Sequence, residues 1–353
     1  RESNLSSEGI LADQIEILIK RDADEGHNPH GQRVNKTFHL ADFFVRISES
    51  EDQLKCDVDR MVSVWFGNPF ATPTFDEHAM FMAFASALRS ADLSRQVGAV
   101  ITRNNQVLST GANDCPKSGG GLYWPERGCD GICISDVPRG RDYKRDGDSN
   151  RIEQLQIIQK IIDEAVKLGI NGVHLRSVLD SSAICDLTEY GRVVHAEMEA
   201  LLNCARSGLS TVGATLYCTT FPCHNCAKHI VAAGIERVVY VEPYPKSKAL
   251  AFHDDSIATP GSNPADAHGK VLFEPFVGIG PRRFFDLFSM ELGSSYRLDR
   301  KENATGMKSE WTVRKGRLRI QMKPRSYLEL EQVACKVFSE TIKRSAEPLQ
   351  SQG

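Results

Sequence analysis

The sequence predicts an α/β protein built on a mixed, partly parallel sheet with helices on both faces. From His195 onward a helical pattern gives way to the β-rich run "ATLYCTT", a helix from Cys223 to Gly234 and the run "RVVYV". That alternation is the pattern of crossover units joining parallel strands. Ahead of it, "QVGAVITRNNQVLSTGAND" sets two apolar runs on either side of Asn104 and Asn105, which predicts a hairpin and so an antiparallel component. The third observation is length, since 353 residues can bury a sizeable core in one large domain or two moderate ones.

Residues 1–50 read as a polar helix around Ile10 to Lys20, a loop rich in Asp, Gly, Asn and Pro, and the apolar "ADFFVRI", together the tail of something upstream. An amphipathic helix follows near Gln53 to Phe66. After a Gly-Asn-Pro break, the capping box Thr74 to Glu77 opens a second helix. Beyond the hairpin lies a loop rich in Gly, Asp and Arg from Cys115 to Asn150, then an amphipathic helix from Ile152 to Leu168. The segment 271–353 holds "VLFEPFVGIGPRRFFDLF" and a helix near Tyr327 to Ile342. The expected division is therefore 1–50 as tail, 51–270 as the main domain with an insertion over 115–190, and 271–353 as a C-terminal extension.

Composition excludes several classes. No apolar run approaches the roughly 20 residues of a membrane-spanning helix, so no membrane partner is expected. A net charge of −3 gives no global attraction to nucleic acid. Ten cysteines without the dense spacing of a secreted scaffold point to a reducing compartment, and hence to the cytoplasm. The chain opens on Arg1 without a signal-peptide pattern, and is expected to be a fragment or processed product.

"FPCHNC" taken alone fits a redox pair, half a metal site or a coincidence. Upstream stands "VVHAEMEALL", with His195 and Glu197 at an expected helix start. His-x-Glu followed by Pro-Cys-x-x-Cys is the signature of the zinc deaminases. His195, Cys223 and Cys226 are then three ligands, and a catalytic zinc leaves its fourth position open. Helix N-termini carry partial positive charge that offsets the two thiolates. Glu197 need not bind metal, and its expected work is to take a proton from water, deliver it to the pyrimidine ring nitrogen and protonate the departing amine. His224 and His229 are expected to be packing or surface residues, and Cys204 and Cys218 core thiols.

"QVGAVI", "GANDCP", "VHAE" and "FPCHNCAKHIVAAGI" together resemble the deoxycytidylate deaminase branch of the cytidine-deaminase-like superfamily, over about residues 75 to 245. The phenylalanine before Pro-Cys and the "CAK" after it favour that branch over the tRNA and free-base deaminases, which commonly carry glutamate there. The resemblance implies a cytidine-deaminase-like three-layer α-β-α sandwich, a Zn2+ cofactor and a deoxycytidine nucleotide substrate. It further implies that Asn113 contacts the sugar, that Arg89 and Ser90 lie near the phosphate, and that Tyr244 stands beside the substrate. Lys246, Arg282 and Arg283 are candidates for further phosphates, or ordinary surface charges. The family is commonly hexameric and controlled by end-product nucleotides, so a homo-oligomer and an allosteric nucleotide are expected. Some members hold a second, structural zinc near the insertion. Cys115, Cys129 and Cys133 lie there, either as such a site or as ordinary thiols.

"LRSADLSRQVGAV", "EPYPKS" and the apolar-aromatic tail resemble the antiphage deoxycytidylate deaminases, in which a kinase-like P-loop domain precedes the deaminase. No Gly-x-x-x-x-Gly-Lys occurs here, so residues 1–50 are expected to be the remnant of that domain. The implied activity is deamination of dCTP or dCMP, depleting the deoxycytidine pool in defence. Two other functions compete with it. A polynucleotide cytosine deaminase would need a basic track interleaved with aromatics, which is missing from the sequence. A defence scaffold held by a protein or an RNA inhibitor would have no need of Glu197.

Overall fold

The computed structural model describes residues 37–47, 50–128, 131–145, 147–293, 296–320 and 327–346. The helix expected around Ile10 to Lys20 lies outside the described residues, as does Cys129. Two compact units form, one from residues up to 47 together with 73–282, the other from 48–72 together with 283 onward. The sequence reading drew its divisions after 50 and after 270.

The first unit begins with β1 (Phe43–Phe44). Helix α1 (Phe75–Ala87) opens on the expected capping box: Glu77 N donates to Thr74 Oγ1 at 3.2 Å and Thr74 N to Glu77 Oε2 at 2.7 Å. Strands β2 (Gly98–Arg103) and β3 (Gln106–Ala112) pair antiparallel with Arg103 opposite Gln106. Asn104 and Asn105 form the turn at φ 52° and 56°, the left-handed pair that matches strand twist in a two-residue hairpin. The insertion contributes α2 (Ser149–Lys167) and α3 (Gly172–Leu179), capped by Asp148 and Asn171. Then follow α4 (Ala196–Arg206), β4 (Ala214–Thr220), α5 (His224–Ala232) and β5 (Ile235–Glu242). Short strands β6 (Ile257–Ala258), β7 (Val271–Pro275) and β8 (Gly278–Ile279) complete the unit.

The six-stranded sheet runs β3-β2-β4-β5-β7-β6. β2 is antiparallel to both its neighbours, whereas β4, β5, β7 and β6 run parallel in succession. The sheet is mixed, as the hairpin and crossover patterns require. Alternation along each strand feeds two cores. Val100, Tyr217 and Val239 face α1 with Ala79, Met80 and Ala83, while Ala99, Ile101, Leu216, Cys218 and Val238 face α4 and α5. Two glycines allow close packing on both sides: a methyl on Gly98 would overlap the Ala83 carbonyl of α1, and one on Gly111 the Ala196 carbonyl of α4. Helices on both faces give the three layers.

In the second unit a helix over Glu51–Trp65 starts at the Ser50 cap. Arg319, wholly buried, donates to the carbonyls of Asp286, Ser289 and Tyr296, and so closes the end of the short helix Phe284–Phe288. A last helix covers Tyr327–Ala346. Among the described residues no helix is long and apolar enough to cross a membrane.

Candidate metal centre

Two helix N-termini meet above the parallel strands. His195 is the N-cap of α4, in extended conformation at φ −68° and ψ 153°. Cys223 is the N-cap of α5, where its Sγ accepts the Cys226 N–H at 3.4 Å. His195 is held from behind by a backbone bridge between Val194 and Asp114. His195 Nδ1 lies 3.4 Å from Cys223 Sγ and 3.4 Å from Cys226 Sγ. All three donor atoms fall within 4.8 Å of one another, and no other such group occurs among the described residues. Zinc bonds of about 2.3 Å to sulfur and about 2.0 Å to nitrogen, spread at the tetrahedral angle, separate the two ligand atoms by about 3.5 Å. The spacing and chemistry of this donor set therefore fit zinc.

Electrostatics prepares the same atoms. The Cys223 thiol is drawn down to about 4, first by its hydrogen bond with Cys226 and then, against burial, by His195. His195 is raised to about 9 by its hydrogen bond to Cys223. A thiolate beside an imidazolium is a proton-bearing arrangement that a dication can replace. Glu197, one residue inside α4, is 4% exposed, and burial pushes its carboxyl above the usual range. His195 and Cys226 act on it in the opposite sense to burial, so the carboxyl stands beside the trio.

The residues expected to hold substrate are distributed less simply. Ser90 and Asn113 are brought together, with Ser90 Oγ donating to the Asn113 carbonyl at 2.6 Å. The Asn113 amide is engaged internally: Oδ1 accepts Val97 N–H at 2.7 Å and Nδ2 donates to the Arg95 carbonyl at 2.8 Å. It thus shapes the turn entering β2. Arg89 lies beside them, half-buried, with its guanidinium 3.7 Å over the Trp124 ring. Tyr244 packs against the apolar cluster that includes Cys226, with the Arg95 guanidinium 5.4 Å from its ring. Lys246 is largely exposed and paired with Asp186 of the insertion at 2.6 Å. Arg282 donates to the Leu40 carbonyl, and Arg283, in the second unit, pairs with Asp286. His224 packs its ring against Phe252, Cys204 and Cys218 are buried, and Cys133 is exposed.

Sequence reasoning missed Asp114, Trp124, Arg141 and Asp186. Only Asp114 carried a local signal, as the neighbour of Asn113. The others reach the site through contacts that no spacing rule encodes.

Residues 73–242 match the family model of the cytidine and deoxycytidylate deaminase zinc-binding region. The deoxycytidylate deaminase of Enterobacteria phage T2 is 32% identical over 167 residues, which are 47% of this chain and 79% of that protein. The deoxycytidylate deaminase of Mycobacterium phage D29 is 32% identical over 168 residues, 48% of this chain and 94% of that one. The apo dCMP deaminase structure from cyanophage S-TIM5 is matched over 58% of this chain and 99% of its own at 18% identity, with a TM-score of 0.30. The kinship with the phage proteins falls on the segment that builds the sheet and both helix starts, and the chain belongs to the deoxycytidylate deaminase family.

Proposed function

We propose that the chain hydrolyses the amino group of free deoxycytidine nucleotides, dCMP or dCTP, yielding the deoxyuridine nucleotide and ammonia. The observation that carries this is the convergence of His195, Cys223 and Cys226 within ligand spacing beside the buried Glu197. Zinc, when held by the trio, supplies a Lewis acid that brings the pKa of water near neutrality. Glu197 accepts a proton at its carboxylate, returns it to the pyrimidine ring nitrogen, and protonates the amine that leaves. Its raised affinity for protons, caused by burial, suits a group that must both take and give one. Asn113 shapes the sugar end of the site, Tyr244 flanks the base, and Arg89 and Lys246 meet the phosphates.

A free nucleotide brings its own charge, so a few cations suffice to hold it. A polymer would need a basic track, which a chain of net charge −3 lacks in its sequence. The likeness of "LRSADLSRQVGAV" and "EPYPKS" to antiphage deaminases supports dCTP as a substrate and depletion of the deoxycytidine pool as the purpose. The wider family resemblance supports a homo-oligomer, and the cysteine usage a cytoplasmic location. The test is to supply zinc-loaded protein with dCMP, dCTP, deoxycytidine and single-stranded DNA, and to assay ammonia and uracil. Release from the free nucleotides is the expected result. Rapid deamination of single-stranded DNA with no action on either nucleotide would replace this reading with a polynucleotide editor.

A further inference from the structure

The insertion between Asn113 and His195 carries charge into the interior beside the centre. Arg141 is only 5% exposed, and its guanidinium meets Asp114 at 3.0 Å and Asp136 at 3.1 Å. Asp114 is the residue bridged to Val194, next to His195. Two carboxylates thus neutralise Arg141 and tie the insertion to the backbone that presents Asn113 and His195. Arg141 Nη2 also donates to the Tyr123 carbonyl at 3.0 Å, and Arg89 Nη2 donates to that same oxygen at 2.8 Å. One carbonyl therefore receives two guanidinium groups.

Arg89 is treated differently from its neighbour. It has no carboxylate within ion-pair distance among the described residues, where Arg141 has two; the buried Nε of each arginine is without a hydrogen-bond partner. Desolvation lowers its pKa, with the nearby positive Arg141 adding to the effect against the attraction of Asp114. The Trp124 ring covers one face of its guanidinium at 3.7 Å, while Trp124 itself is 53% exposed. Stacking fixes the plane of a guanidinium without using its in-plane N–H donors, and with Nη2 on the Tyr123 carbonyl and Nε buried it is Nη1 that is left for a phosphate approached edge-on.

We propose that Trp124 and Arg141, both supplied by the insertion, are positioning residues that hold the Arg89 guanidinium for the substrate phosphate and thereby set preference for a nucleotide over a nucleoside. Arg141 locates the Tyr123 carbonyl, and Trp124 holds the plane. This rests on the deaminase reading above, and deepens it by naming what makes the phosphate count.

The experiment compares binding of dCMP and deoxycytidine by calorimetry to zinc-loaded full chain, in the wild type, Trp124→Leu, Trp124→Phe, Arg141→Lys, Arg89→Ala and the double variant Trp124→Leu/Arg89→Ala. Trp124→Leu should weaken dCMP about tenfold and leave deoxycytidine within about twofold, the scale of a lost cation–π contact at a partly desolvated site. Trp124→Phe should restore most of the loss, Arg141→Lys should weaken dCMP selectively, and Trp124→Leu should cost nothing more once Arg89 is alanine. Equal weakening of nucleotide and nucleoside, or a full additional loss in the double variant, would overturn the proposal. So would a wild type that binds dCMP no more tightly than deoxycytidine. Failure of the wild type to release ammonia from any nucleotide would instead sink the deaminase reading, and the binding comparison would still decide the role of Trp124.

Discussion

Glu197 and Cys223 both sit at helix starts beside the same point, yet their replacement should have opposite signatures. Glu197→Gln keeps the shape of the side chain and removes only its proton exchange. Metal analysis should find zinc at the wild-type ratio, while turnover falls by about 10²–10⁴, the usual worth of a positioned proton shuttle. Cys223→Ser replaces a thiolate drawn down to about 4 with a hydroxyl that stays protonated, so zinc should be lost and the melting temperature should drop with it. Loss of zinc in Glu197→Gln would show that its carboxylate is a ligand. His195, Cys223, Cys226 and Glu197 were legible because metal and proton-transfer chemistry demands particular side chains at short spacing from a helix start. Asn113 was legible as a position but not in its bonding, since both ends of its amide serve a turn whose partners are 16 and 18 residues away. Trp124 and Arg141 were not legible at all, because aromatic and basic residues in a polar loop look alike until the fold places Arg89 under one and Asp114 beside the other.

At the scale of elements, the starts and turns were readable and the second duties of the same residues were not. The hairpin at Asn104–Asn105 and the capping box at Thr74–Glu77 follow from local sequence alone. Glu77, however, also accepts the Ile279 N–H at 3.0 Å through its other oxygen, across 202 residues, and no local pattern announces that. Asp76 beside it makes a similar long reach. It accepts from Tyr217 at 2.5 Å and pairs with Arg237 at 2.7 Å, and Arg237 turns to Glu274 at 2.7 Å. Burial pushes the Asp76 carboxyl upward, but the hydrogen bonds from Arg237 and Tyr217 prevail and hold it below its ordinary 3.8. A depressed folded pKa contributes stability that is present above about pH 4 and is lost as pH falls through the folded value. Asp76→Asn should cost about 1 kcal/mol at pH 7, discounted because the pair is a third exposed, and the gap from wild type should close as pH falls through the lowered folded value. Urea titrations of both proteins across pH would check it. A second element-scale prediction concerns Gly111, where an added methyl would strike the Ala196 carbonyl at the head of α4. Gly111→Ala should destabilise by about 1–3 kcal/mol through overpacking and lower zinc occupancy, since α4 carries His195. An unchanged zinc content in a destabilised variant would mean that the helix start yields without moving its ligand.

For the molecule as a whole, the decisive feature is that the catalytic unit is not one continuous stretch. Residues 1–50 read from sequence as the tail of something upstream, a polar helix and a loop ahead of the apolar "ADFFVRI". In the fold, β1 pairs with β8 in the register Phe43 to Ile279 and Phe44 to Gly278. Phe44 is buried in the cluster on the α1 face of the sheet, with its ring centroid 5.5 Å from Phe38 and 5.7 Å from Phe276. Arg46 adds a 2.8 Å ion pair to Glu274, joining the network of Asp76 and Arg237. A mere remnant could be removed without consequence, whereas a strand that fills a core cannot. Phe44→Ala should therefore destabilise the protein by about 3 kcal/mol, the lower part of the range for a buried phenylalanine, because the site lies near the edge of the cluster. The metal trio and Glu197 lie on the opposite face of the sheet, so zinc stoichiometry at low temperature and the affinity for dCMP should be retained in that variant. Arg46→Ala should cost less, as an ion pair with a partly exposed arginine. Denaturant unfolding monitored alongside zinc content separates the cases. If Phe44→Ala unfolds at the wild-type midpoint, the segment is a passenger on the unit; if it shifts the midpoint and leaves the metal in place, residues 37–47 are structural members of the deaminase.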